Sequence, residues 1–219
     1  VTKIISYSLW GNSPKYNVGA IENAKLAQEI YPGWKSRFYI ADSVPEYTIS
    51  TLRDIQNTEI YIKKEAGSWK SMFWRCEPCW DPSVSISVFR DTDSRINSRE
   101  KHAVDAWMSS DKTFHIMRDH PFHGYYMLGG MWGYKNNNKY DLKTIFDSFT
   151  PSNSYGTDYD FFANALQHII KEDKLVHDEF FEHKPFPKPR IGTEFVGDVF
   201  DENNNRDAEF HRYITPHQQ

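Results

Sequence analysis

Asp91 and Asp93 stand one residue apart at the end of an apolar, β-branched run, Val84 to Phe89, in the stretch SVSISVFRDTDSR. A short apolar run bounded by polar residues reads as a buried strand. Two carboxylates at the mouth of such a strand repel each other and resist desolvation, so a cation is needed beside them. A divalent ion bound through carboxylate oxygens, with coordination positions left open, is the usual partner. The expected chemistry is a metal on Asp91 and Asp93 that in turn holds a nucleotide diphosphate.

A second group of ligand-type residues lies far downstream, in VHDEFFEHKPFPKPR. Its His177 and Asp178 are the residue types that complete a metal shell, and a surface loop is the plain alternative. Carboxylates with one imidazole suit Mn²⁺ or Mg²⁺, and the imidazole tilts the choice toward Mn²⁺. The chain's 2 cysteines, Cys76 and Cys79 in WRCEPCW, are too few for a disulfide framework or a zinc site. No apolar strand runs into them, so they read as helix thiols rather than a redox pair.

The elements that must position these groups alternate along the chain. Strands are expected over Lys3–Trp10, Ser36–Ala41, Glu59–Lys63, Val84–Phe89 and Phe114–Arg118, with a last one over Glu194–Phe200. Helices are expected from Asn17 to Tyr31, closed by Pro32-Gly33, then over Pro45–Ile55 and Ser68–Trp80. Another opens at Asn97 with Glu100 three residues on, a capping-box spacing. Short helices follow over Asp141–Phe149 and from near Asp158 within Gly156–Lys171. This order predicts an α/β fold: a single Rossmann-like, mixed but mostly parallel central sheet flanked by helices. Ligands then sit beyond the carboxyl ends of the strands, which makes Ser8, Leu9 and Trp10 neighbours of the aspartates. Between Pro121 and Lys135 the chain is aromatic and glycine-rich, and Gly129-Gly130 permits close backbone approach.

With 219 residues and 39% hydrophobic content, the chain can bury a core as one domain, residues 1–200, followed by a polar tail or linker over 201–219. A formal charge of −4 gives no polyanion-binding surface, so no nucleic-acid partner is expected. No apolar run reaches the ~20 residues of a membrane span, and VTKIISYSLW lacks the pattern of a signal peptide. A soluble, cytoplasmic protein is the expectation. The 7 Trp, 13 Tyr and 15 Phe fill cores and also make platforms for sugar faces and bases.

The segments ISYSLWG, MFWR, FRDTDSR, HIMRDHP, LGGMWG, VHDEFF, KPFP and FVGDVFDEN together resemble nucleotide-sugar glycosyltransferases of the GT-A fold. The resemblance covers nearly the whole length and is clearest for a group from bacteria and large viruses. It implies a metal-dependent transferase moving a sugar from a UDP-sugar to a glycan or glycoprotein acceptor, with retention, in the host cytoplasm if the source is viral. Further domains beyond the C-terminus fit such a protein. The Asp-x-Asp of the family falls on Asp91, Thr92 and Asp93, and a diphosphate-binding Arg on Arg75. The base site falls on Ser8, Leu9 and Trp10, and the late His with its Lys-Pro-aromatic motif on His177 and Lys184. The spacing from His177 to Lys184 is one longer than the glycogenin-like pattern, and Asp178 fits that pattern, so either could be the third metal ligand. Asp158-Tyr159-Asp160 stands where related retaining enzymes have Asp-Gln-Asp, which makes Asp158 the carboxylate expected near the reaction centre; its plain role is a helix cap. Arg118 and Asp119 could bond donor-sugar hydroxyls or form a structural ion pair, and Asp119 and Asp158 keep inversion open. Two other readings use the same residues: a phosphohydrolase with an Asp nucleophile, and a non-catalytic sugar-binding module.

Overall fold

The structure, a computed structural model, describes residues 1–214. Its centre is a seven-stranded sheet of β1 (Lys3–Leu9), β2 (Lys35–Ala41), β3 (Thr58–Lys63), β4 (Ile86–Arg90), β5 (Phe114–Arg118), β6 (Met131–Lys135) and β7 (Lys174–Asp178). Their spatial order is β3-β2-β1-β4-β6-β5-β7. All neighbours pair in parallel except β6, which is antiparallel to both β4 and β5, with Met131 opposite Arg90. The sheet is mixed and mostly parallel, flanked by helices, as expected.

One face is covered by α1 (Pro14–Ile30), α2 (Glu46–Asp54) and α3 (Ser98–Met108). Ile5, Tyr7, Leu9 and Val88 point to that side and pack with Ala20, Ala24, Leu52 and Trp107. The opposite face takes a 3₁₀ segment, Trp69–Trp80, with α4 (Leu142–Ser148), α5 (Thr157–Phe161) and α6 (Gln167–Ile170), the last two joined by a π-helical turn over Phe162–Leu166. Cys76 and Cys79 are buried in this second layer with Phe89, Trp132 and Phe161. Burial pushes the Cys76 thiol up to about 12, which disarms it as a nucleophile. The expected Ser68–Trp80 helix winds as 3₁₀ over Trp69–Trp80 rather than as α-helix, and Ser68 and Ser71 cap its start reciprocally.

Three expectations need correction. The aromatic, glycine-rich stretch supplies β6, and VHDEFF supplies β7; neither was expected as a strand. Glu194–Phe200 forms no strand, because Gly197 turns there at φ +87°, leaving only single bridges such as Ser94 with Val199. Residues 201–211 fold back on the carboxyl edge of the sheet: Arg206 bonds Asp198 at 2.6 Å, and α7 (Ala208–His211) brings Phe210 alongside. The end of the 201–219 tail, Thr215 onward, lies outside the described residues.

Under the edge where β4 ends, Arg90 and Glu100 form a fully buried ion pair at 2.8 Å, with Tyr31 Oη donating to Glu100 at 2.6 Å. Removing one partner strands the other charge in the core. Glu100→Ala is expected to lower unfolding free energy by about 3–5 kcal/mol in urea titration. A loss below about 1 kcal/mol would show the pair to be energetically neutral.

Candidate active site

The carboxyl ends of β1 and β4 open into a cavity of about 590 Å³. Ser8, Leu9, Trp10, Arg75, Asp91, Thr92, Asp93 and Asp158 all line it. These are the expected base, diphosphate, metal and reaction-centre residues, drawn from four segments of the chain.

Serines on β1 position Arg75. Ser6 Oγ donates to the Arg75 carbonyl at 2.7 Å, and Ser8 Oγ accepts from the Arg75 N–H at 2.9 Å. The guanidinium, buried at 5% exposure, then bridges two carboxylates: a short contact to Asp91 and a 3.2 Å bond to Asp158. Burial works against its charge, but Asp91 and Asp158 outweigh burial and raise its pKa. The Asp158 pKa is raised too, which for a carboxyl disfavours the charge: burial raises it, Arg75 opposes, and Asp91 adds to the rise. Gly129 and Gly130 lie directly against this cluster. A Cβ on Gly129 would stand 1.9 Å from Asp158 Oδ2, and one on Gly130 2.1 Å from Asp91 Oδ2. The close approach that these glycines permit is therefore to the site's own carboxylates.

Asp93 sits across the turn. Asn23, buried on α1, donates to the Thr92 and Ser94 carbonyls and accepts from the Ile96 N–H, fixing the backbone of the Asp-x-Asp turn. Gly19 lets that turn rest on the helix, since a Cβ there would meet the Thr92 carbonyl at 1.9 Å. Burial raises the Asp93 pKa and repulsion from Asp91 adds to it, while Lys15, 3.1 Å away, opposes the rise.

Aromatic rings wall the cavity. Trp69 meets Trp10 and Tyr155 edge-on at 6.2 and 5.5 Å between centroids. Tyr125 stacks on Tyr159 at 4.1 Å. His123 also faces the cavity. Its Nδ1 accepts from the Asp119 N–H at 3.1 Å, and burial pushes its pKa down to about 3. A neutral ring whose Nδ1 accepts carries its proton on Nε2, so His123 serves as a donor. Sequence reasoning missed both His123 and Lys15.

Five expected residues are not brought to this cavity. Arg118 bonds Asp178 at 2.9 Å and pairs with Glu182. Asp119 is locked between Arg99 at 2.9 Å and Arg190 at 2.7 Å, and accepts the Val196 N–H. Asp178 is spent on the Phe180, Phe181 and Glu182 N–H groups. Lys184 pairs with Glu182 at 2.7 Å. His177 Nδ1 lies 2.8 Å from His115 Nε2. The sheet order explains this separation: β7 lies three strand positions from β4, roughly 14 Å away. His177 and Asp178 are therefore not brought beside Asp91 and Asp93. Among the described residues no group of three or more His, Cys, Asp or Glu is arranged to hold a metal. Asp91 and Asp93 alone still fit a hard divalent ion of the kind that one or two carboxylates hold, with ligand phosphates and water completing the shell. The cavity's three carboxylates face only Arg75 and Lys15, which leaves a formal charge of −1 for such an ion to reverse.

No protein-family model and no curated protein matches the sequence. Solved structures do match in fold. A glycosyltransferase involved in the glycosylation of the major capsid of PBCV-1 aligns at TM-score 0.52 and 13% identity, over 82% of each chain. The mannosyltransferase PcManGT from Pyrobaculum calidifontis, in complex with GDP-Man and Mn²⁺, aligns at 0.52 and 11%, over 81% of this chain and 55% of that one. A 4-diphosphocytidyl-2C-methyl-D-erythritol synthase from Anaerococcus prevotii aligns at 0.52 and 10%, over 86% and 93%. The chain thus has the α/β fold of the GT-A glycosyltransferases, as the sequence motifs implied. No described helix is long and apolar enough to cross a membrane.

The His115–His177 pair gives the fold a pH dependence. Burial depresses both, His115 well below its usual value and His177 to about 4, with Arg99 adding to the latter. Unfolded histidine takes its proton near 6.5, so the stability carried by neutral His177 is full above pH 6.5 and is lost as pH falls toward 4. Melting curves at pH 7.5 and 4.5 should show a smaller acid loss in His177→Gln than in the parent, by up to about 3 kcal/mol. Equal losses would place the titration elsewhere.

Proposed function

We propose that the chain is a metal-dependent glycosyltransferase that moves a sugar from a UDP-sugar to a glycan or glycoprotein acceptor. The observation that carries this is the buried Arg75 fork between Asp91 and Asp158, set with Asp93 at the carboxyl ends of β1 and β4. A diphosphate needs fixed cationic donors, a metal and an adjacent platform for its base; Arg75, the Asp91 and Asp93 carboxylates and the Trp10–Trp69 wall support that reading. The choice of UDP follows the motif resemblance. The mannosyltransferase neighbour, solved with a nucleotide sugar and Mn²⁺, supports the wider donor class.

In this mechanism the base lies against Trp10 and Trp69, over Ser8 and Leu9. A divalent ion on Asp91 and Asp93 would supply charge that neutralises the departing diphosphate. Arg75 donates charge-assisted bonds to the phosphate oxygens, which strengthen as negative charge grows on the leaving group. The C1–O bond to phosphate breaks through an oxocarbenium-like state, and Asp158, beside Arg75, stabilises the positive charge at that carbon. His123 donates to a sugar oxygen, and the stacked Tyr125 and Tyr159 present ring faces to the acceptor. Retention is favoured because neither candidate base is free: Asp119 is neutralised by two guanidiniums, and Asp158 is tied to Arg75. A phosphohydrolase would need an unencumbered Asp nucleophile, and Asp91 is held by Arg75.

Thermal-shift measurements with UDP, GDP, CMP and phosphate, each with and without Mn²⁺, test this reading. Stabilisation is expected for UDP with Mn²⁺, about 2.7 kcal/mol at a hundredfold excess over Kd. Asp93→Ala should keep the fold and lose that shift. Silence with every nucleotide plus metal would sink the reading.

A further inference from the structure

Lys15 stands in the first turn of α1 and reaches over the cavity to Asp93, Nζ to Oδ2 at 3.1 Å. Both side chains line the cavity, Lys15 at 33% and Asp93 at 19% exposure. The contact differs from the Arg75 fork in a way that matters. Arg75 is buried, bonded to two carboxylates and pinned through its backbone by Ser6 and Ser8. Lys15 has one carboxylate partner, partial access to solvent and a flexible four-carbon stem. Of the two cations in the cavity, Lys15 is the one free to move.

Its present position also conflicts with a loaded site. A divalent ion on Asp91 and Asp93 turns the surroundings of Asp93 cationic, and an ammonium 3.1 Å from that carboxylate is then repelled. A nucleoside diphosphate arriving with the ion supplies anionic oxygens in the same cavity. We propose that Lys15 is an exchangeable counter-ion: it neutralises Asp93 in the ligand-free chain, and passes to a phosphate oxygen of a nucleoside diphosphate when a divalent cation takes Asp93. This rests on the reading of the cavity as a nucleoside-diphosphate site. It makes Lys15 a phosphate-binding residue in the place that Lys184, held by Glu182 away from the cavity, does not fill.

The exchange has a signature that a plain structural ion pair lacks. Removing the Lys15 charge takes away a competitor for the metal and a donor for the phosphate, so two affinities move in opposite directions. Lys15→Met keeps most of the stem and removes the charge. Calorimetric titration of Mn²⁺ alone is expected to show tighter binding in Lys15→Met, by roughly fivefold to tenfold. Titration of UDP at saturating Mn²⁺ is expected to show weaker binding, by about tenfold. Lys15→Arg, which keeps the charge, should stay near the parent in both titrations. Unchanged or weakened Mn²⁺ binding in Lys15→Met overturns the proposal, as does unchanged UDP binding or a Lys15→Arg variant that behaves like Lys15→Met. If the parent itself binds no UDP in the presence of Mn²⁺, the nucleotide-site reading falls and the exchange falls with it; if the parent binds and the variant matches it, only the exchange falls.

Discussion

A single guanidinium sets the geometry of this cavity. Arg75 is buried, and a buried charge persists only where partners surround it. Its partners, Asp91 and Asp158, lie 16 and 83 residues away in sequence. The end of β4, the start of α5 and the 3₁₀ segment are therefore brought to one point by one side chain. The serines of β1 hold its backbone, and the bare Cα atoms of Gly129 and Gly130 leave room for its carboxylates. The glycines, the serines and the second-face packing of residues 69–80 can all be understood as consequences of keeping that charge satisfied.

A second buried ionic cluster does different work. Arg99, Asp119, Glu179 and Arg190 join α3, β5 and the long segment after β7. None of the four lines the cavity. The cluster fixes the irregular chain from Lys188 to Val196, since Arg99 bonds the Lys188 carbonyl and Asp119 accepts the Val196 N–H. Gly197 and Val199, which do line the cavity, follow directly. Charged residues at the strand ends thus divide into Asp91 and Asp93 after β4, which face the cavity, and Arg118, Asp119 and Asp178 at the ends of β5 and β7, which fasten neighbouring segments of the chain.

Much of this was legible in the sequence. The apolar run before Asp91, the serines and tryptophan at the end of β1, and the periodicity of α1 each carry a local signal, and all three elements formed close to where they were expected. β6 was hidden because MWGYK has no β-branched residue and contains a glycine; its strand conformation comes from neighbours on both sides. β7 was hidden because His177 and Asp178 are ligand types, and chemistry-bearing residues in a buried strand look like a site when they are fasteners. Glu194–Phe200 erred the other way, since its apolar residues suggest a strand that one left-handed glycine prevents. Lys15 gives no signal at all, because its meaning depends on Asp93, which only the fold brings near.

The reversed direction of β6 has a consequence for how such a site can diversify. Because β6 runs against its neighbours, the chain leaves β5 and enters β6 on the same edge of the sheet. Residues 119–130 are thus one excursion that begins and ends within the rigid sheet, and they carry His123, Tyr125, Leu128 and the two glycines into the cavity. Such an excursion can change in length and chemistry without altering strand order or register. Its last two residues, Gly129 and Gly130, lie against the Asp158 and Asp91 carboxylates, while Phe122 and Tyr125 earlier in it are exposed and rest on ring contacts such as those with Tyr213 and Tyr159. Changes in the earlier part of this excursion would thus reshape one wall of the cavity while leaving the Asp91–Arg75–Asp158 cluster in place.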